Sequence, residues 1–136
     1  MVLVDTSVWS LALRRRPRST SGSERRLVGE WTRLVEEGLA ELIGPIRQEI
    51  LSGLRERSTF QALQELLSSF RYVEILAADY DRAAEFYNRC RARGISGGHI
   101  DMLIAAVAHR SHVPVFSTDP DFGRYAVELP IRLHTP

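Results

Sequence analysis

The sequence predicts an α/β fold, a three-layer α/β/α sandwich around a mostly parallel central sheet of about five strands. Three observations carry this expectation. Short apolar runs of β character alternate along the chain with longer stretches of helical periodicity. Such alternation implies right-handed crossovers and a sheet covered on both faces. A chain of 136 residues, 44% hydrophobic and 26% charged, suits a single domain spanning 1–136 with one substantial core.

The elements follow in order. "VLVD" (2–5) reads as the first strand, and "TSVWSLAL" (6–13) as a short helix with Thr6 or Ser7 as its cap. "RRRPRSTSGS" (14–23) is the one loop-like stretch. From Glu24 to Gly38, the residues Leu27, Trp31, Leu34 and Val35 recur at helical spacing, so Trp31 belongs to the core and Gly38 stops the helix. "LAELIGP" (39–45) is a second strand, and Pro45 starts a helix running through "IRQEILSGLRER". Phe60, Leu63, Leu67 and Phe70 mark the face of another helix. "YVEIL" (72–76) is the third strand, and 78–93 a long helix ended by Gly94. A helix in "GGHIDMLIAAVAHR", a fourth strand in "VPVFST" and a fifth in "PIRLHT" (130–135) complete the pattern.

Composition excludes several kinds of chemistry. The net charge of +1 does not mark a polyanion binder, and all 18 basic residues are arginine. With no lysine there is neither a Walker phosphate loop nor a Schiff base. The single cysteine, Cys90 in "EFYNRCRARG", rules out an internal disulfide and a CxxC site, and its helical context makes it a packed side chain. The apolar run "MLIAAVA" (102–108) is far too short to span a bilayer. Positive charges follow the apolar start of the chain, the reverse of a secretory leader, so the expectation is a cytoplasmic protein.

Carboxylates fall where such a sheet presents ligands, beyond the carboxyl ends of its strands. Asp5 ends the first strand; Asp119 ends the fourth, with Asp121 two residues on. Glu49 lies on the helix after the second strand, at the border of the apolar face made by Ile46, Ile50 and Gly53. Asp101 opens the helix that carries "MLIAAVA", where Ala105 and Ala108 on its face allow close packing. If Asp5, Glu49, Asp101 and Asp119 meet, each pair about 4 Å apart repels by roughly 4 kcal/mol at an effective dielectric near 20. Protons or a divalent cation must settle that conflict. Oxygen ligands without a histidine or thiolate cluster suit Mg²⁺ or Mn²⁺ rather than zinc. Such an ion can activate water and clamp a phosphate.

The hydroxyls of Thr6, Ser7 and Thr118 sit beside these acids. Two roles fit them: orienting a carboxylate or metal-bound water, or capping a helix and a turn. A polyanionic substrate also needs basic groups around an acidic pocket. The candidates are Arg14, Arg15 and Arg16 with their neighbours, and Arg124 after "STDPDFG"; arginine's planar fork suits phosphates and bases. Trp9 and Phe122 read as core or interface residues, and His99 as a first-turn residue facing solvent.

Taken together, "VDTSVW", Glu49, "DMLIAAVA" and "STDPDF" resemble, in order and spacing, the motifs of the PIN-domain family, in particular its compact VapC-type toxins. The resemblance covers essentially the whole chain. It implies a Rossmann-like sandwich and a metal-dependent endoribonuclease, the toxin of a toxin–antitoxin pair. Asp5, Glu49, Asp101 and Asp119 would bind Mg²⁺ or Mn²⁺, and Asp121 would match an additional acid. It further implies an RNA substrate, a homodimer, and a VapB-like antitoxin that wraps the domain and sets a basic side chain in the acidic pocket. The Arg-rich insert after the first helix is less standard for the family.

Other functions are weighed against the same residues. A receiver domain or a haloacid-dehalogenase-like phosphatase expects a lysine, and the phosphatase also expects DxD where this chain has "DTS". A non-catalytic PIN-like module is expected to lack one of the acids. A PIN-like nuclease acting on DNA or in RNA processing stays open, since no local residue reads the 2′-hydroxyl.

Overall fold

The computed structural model describes residues 1–13 and 21–136. Its elements run β1 (Val2–Val4), α1 (Thr6–Ala12), α2 (Gly22–Glu36), β2 (Ala40–Leu42), α3 (Gly44–Leu51), α4 (Arg57–Ser68), β3 (Arg71–Tyr72), α5 (Ala77–Ala92), α6 (His99–Ser111), β4 (Val115–Phe116) and α7 (Asp121–Glu128). The four strands are parallel and ordered β3-β2-β1-β4. The chain steps from β1 outward to β3, then returns to lay β4 on the other side of β1. Right-handed crossovers in opposite directions place α1–α4 on one face and α5–α7 on the other. In sheets of this kind ligands bind at the point of reversal, here the carboxyl ends of β1 and β4.

Burial follows from this layering. Val2, Leu3 and Val4 are buried on both sides of the sheet, as a central parallel strand must be. In α6 every residue from Met102 to Ala108 is buried, so this helix is apolar all round, as an internal helix should be. On the other face Trp9 is fully buried between Trp31 and Phe70, with both rings edge-on at 5.4 and 4.9 Å between centroids. Phe122 and Cys90 are core residues as expected. Among the described residues no helix is long and apolar enough to cross a membrane.

Several expected elements differ, each for a local reason. The sheet has four strands among the described residues rather than about five. "PIRLHT" contributes only a bridge of Leu133 to Val115, and the strand cannot extend back through Pro130, which has no N–H. β3 is just Arg71–Tyr72 of the region around "YVEIL". α3 stops at Leu51, ahead of Gly53 at φ +85°, instead of continuing through "GLRER". α2 begins at Gly22, because the Ser21 hydroxyl accepts from the Glu24 N–H and caps the helix. α7 has no counterpart in the sequence reading. It is eight residues long with Gly123 inside, and it buries Phe122 and Tyr125.

Candidate active site

Asp5 follows β1 directly and is only 6% exposed. Its N–H donates to the Phe116 carbonyl at 2.9 Å, locking the ends of β1 and β4 together. Asp5 occupies the N-cap position of α1, yet its side chain makes no cap bond. Its Oδ2 instead accepts from the Ser7 and Ser117 hydroxyls, at 2.7 and 2.8 Å. These serines fasten the loop after β4 as well: Ser7 Oγ accepts from the Thr118 N–H and Ser117 Oγ from the Asp119 N–H, both at 3.0 Å. A web of small hydroxyls thus fixes Asp5 and Asp119 to one edge of the sheet.

The other two acids arrive from helices. Glu49 on α3 is solvent-exposed rather than at a buried border, but its Oε2 accepts from the Thr6 hydroxyl at 2.5 Å, beside Asp5. Asp101, in the first turn of α6, accepts on Oδ2 from the Tyr125 hydroxyl of α7 at 3.0 Å. Burial pushes the Asp101 carboxyl up to about 6; the Tyr125 bond works the other way, and the charges of Asp5, Asp119 and Glu49 push it up further. The other three acids thus add to the charge that opposes ionisation of Asp101. Burial and the Asp101 charge likewise raise Tyr125, so its phenol stays a donor.

One regularity runs through the four carboxylates. Each has one tethered oxygen: Asp5 Oδ2, Glu49 Oε2, Asp101 Oδ2, and Asp119 Oδ1, which accepts from the Asp121 N–H at 2.9 Å. Among the described residues no hydrogen bond reaches the second oxygen of any of them, and no basic side chain pairs with them. Nor, among the described residues, is any group of three or more His, Cys, Asp or Glu side chains placed to hold a metal ion. Mg²⁺ does not need one, since it keeps several waters and takes one or two carboxylates with substrate phosphates. An all-oxygen set with uncompensated negative charge fits such an ion.

The remaining candidates sort by contact. Thr6 and Ser7 do not cap α1 through their side chains, because their hydroxyls are committed to Glu49 and Asp5. Thr118 is exposed, and the hydroxyl that reaches the acids from this loop is that of Ser117. Asp121 pairs with Arg124, itself mostly exposed at this rim. Arg14, Arg15 and Arg16 lie outside the described residues. Sequence reasoning missed Ser117 and Tyr125. A buried tyrosine must find a partner for its hydroxyl, and in Tyr125, at core spacing from Phe122 and Leu129, that was the available signal.

Fold and site together define a doubly wound α/β domain with carboxylates gathered at its topological switch point. The PIN domain model matches residues 2–128, and the chain belongs to the PIN-domain family. It is 32% identical over 124 residues to ribonuclease VapC11 of Mycobacterium tuberculosis, covering 90% of this chain and 89% of that protein. Among solved structures it resembles VapBC2 from Rickettsia felis bound to a DNA fragment from its promoter (TM-score 0.73, 17% identity, 98% of each chain). It also resembles VapC20 of Mycobacterium tuberculosis, a sarcin-ricin loop cleaving toxin (TM-score 0.69, 19% identity, 97% of this chain and 99% of that one).

Proposed function

We propose that this chain is a metal-dependent endoribonuclease and the toxin of a toxin–antitoxin pair. The observation that carries the reading is that Ser7, Ser117 and Thr6 tie Asp5, Asp119 and Glu49 to one edge of the sheet, while burial first and then the charges of these acids push the Asp101 carboxyl up to about 6. Membership of the PIN-domain family and 32% identity to a protein named as a VapC ribonuclease support it. The name of VapC20 as a cleaving toxin points the same way.

In this reading Asp5, Glu49, Asp101 and Asp119 would hold Mg²⁺ or Mn²⁺. Such an ion, when bound, lowers the pKa of a water and neutralises charge on the scissile phosphate. The chain's own contribution is preorganisation. Ser7 and Ser117 fix the rotamer of Asp5, Thr6 that of Glu49, and Tyr125 that of Asp101, so the free oxygens are aimed before substrate arrives. Arg124, held at the rim by Asp121, is a phosphate contact. The partners are RNA, a second copy of the chain in a homodimer, and a VapB-like antitoxin, the last supported by the antitoxin complex among its structural neighbours. The working compartment is the cytoplasm.

The test is cleavage of labelled single-stranded RNA by the purified chain. Cutting should stop in EDTA, return with Mg²⁺ or Mn²⁺, and be absent in Asp5→Asn, whose expression should no longer arrest growth. Cleavage that persists in chelator, or a toxic and active Asp5→Asn, contradicts the reading.

A further inference from the structure

The exposed ring of His99 is the first residue of α6, two positions from Asp101. It stacks on Tyr87 of α5, with centroids 5.0 Å apart and planes 20° from parallel. The Arg91 guanidinium lies over the same Tyr87 ring at 6.0 Å and donates to its hydroxyl at 3.1 Å. Gly98, the residue before His99, lies close to the acidic site, since a Cβ there would stand 4.0 Å from Asp101 Oδ2.

We infer that the His99–Tyr87 stack, flanked by Arg91, is a platform on which one unpaired base of the RNA seats beside the acidic site. The inference rests on the ribonuclease reading above and adds how the substrate is held. Unpaired bases are recognised by stacking on aromatic rings, with an arginine nearby for the backbone. A purely structural task for His99 is poorly matched to its position. α5 and α6 already join through buried Ala83, Phe86 and Cys90 against the apolar run of α6. The His99 ring adds only a solvent-facing lid to that seam, and its nitrogens make no hydrogen bond among the described residues. An exposed aromatic stack with an arginine beside it is what an incoming base requires. Arg91 supplies charge that the acidic site itself cannot offer to phosphate.

The experiment places 2-aminopurine at each position of a short single-stranded RNA in turn and compares the unmodified protein, His99→Ala and His99→Phe. Stacking should quench one position next to the cleaved bond with the unmodified protein and with His99→Phe, but not with His99→Ala. For His99→Ala, KM should rise about tenfold, with kcat changed far less. Quenching and KM unaltered in His99→Ala, in a chain that cuts RNA, overturn the platform and leave the nuclease reading intact. So does a variant that loses affinity only for a protein partner. A chain that neither binds nor cuts RNA overturns both.

Discussion

The Tyr125 hydroxyl donates to Asp101 Oδ2 at 3.0 Å from a side chain only 1% exposed. The bond joins α7 to the first turn of α6, and it is the one described contact that favours the charged form of Asp101 against burial and three neighbouring acids.

Tyr125→Phe removes that donor while keeping the ring. A hydrogen bond to a charged group contributes about 1.5–3 kcal/mol, so cleavage at neutral pH should fall roughly ten- to a hundredfold. The sign for pH follows directly. The lost bond had lowered the Asp101 pKa, so the acidic limb of the pH–rate profile in the variant should move to higher pH. A limb that moves to lower pH contradicts the role given to Tyr125.

Gly97 makes a separate prediction about the same corner. A Cβ there would stand 2.6 Å from Met102 Cε and 3.3 Å from Tyr125 Cε1, both on side chains about 1% exposed. Met102 can swing its end away more easily than Tyr125 can move its ring. Gly97→Ala should therefore cost about 1–3 kcal/mol in a denaturant melt and lower cleavage as well. Stability and activity both equal to those of the unmodified chain would show that the corner is not tightly packed.

Far from the acids, the Arg110 guanidinium meets Asp79 at 2.8 and 2.9 Å and holds its carboxyl below the usual range, aided by the Leu76 N–H. Asp79 is 2% exposed, whereas Arg110 reaches water. Arg110→Met leaves a buried charge unpaired and should cost about 3 kcal/mol or more; Asp79→Asn leaves a cation that can turn to solvent and should cost less. Because the folded-state pKa of Asp79 is depressed, its contribution is present above about pH 4 and is lost as pH falls through the folded value. The stability gap between the unmodified chain and Asp79→Asn should narrow on acidification. Melts at stepped pH check it, and a gap that widens in acid contradicts the pairing.

What the sequence revealed and what it hid divide along one line. β1, β2, β4 and the buried α6 were legible because each is a local apolar pattern with its own stop. Asp5 and Asp119 were legible as acids because they end two such strands. The fifth strand was not, because apolar residues in 130–135 resemble a strand, whereas pairing depends on a neighbour's edge, and only Leu133 meets one. α7 was hidden because a run of eight residues with a glycine inside is too short for helical periodicity to stand out. Thr6 and Ser7 read locally as helix caps, yet Glu49 from α3 and the carboxylate of Asp5 compete for their hydroxyls and win. Ser117 and Tyr125 acquire their roles only from partners that the fold brings across 112 and 24 residues of chain.

The account turns on four carboxylates whose free oxygens and unbalanced charge call for a divalent cation. Titration of the chelator-stripped chain with Mn²⁺, followed by calorimetry and by thermal melting, tests this most directly. Saturable binding that raises the melting temperature, and is abolished in Asp5→Asn and in Asp101→Asn while both variants stay folded, is the predicted result. No binding, or binding and stabilisation undiminished in both variants, would contradict it.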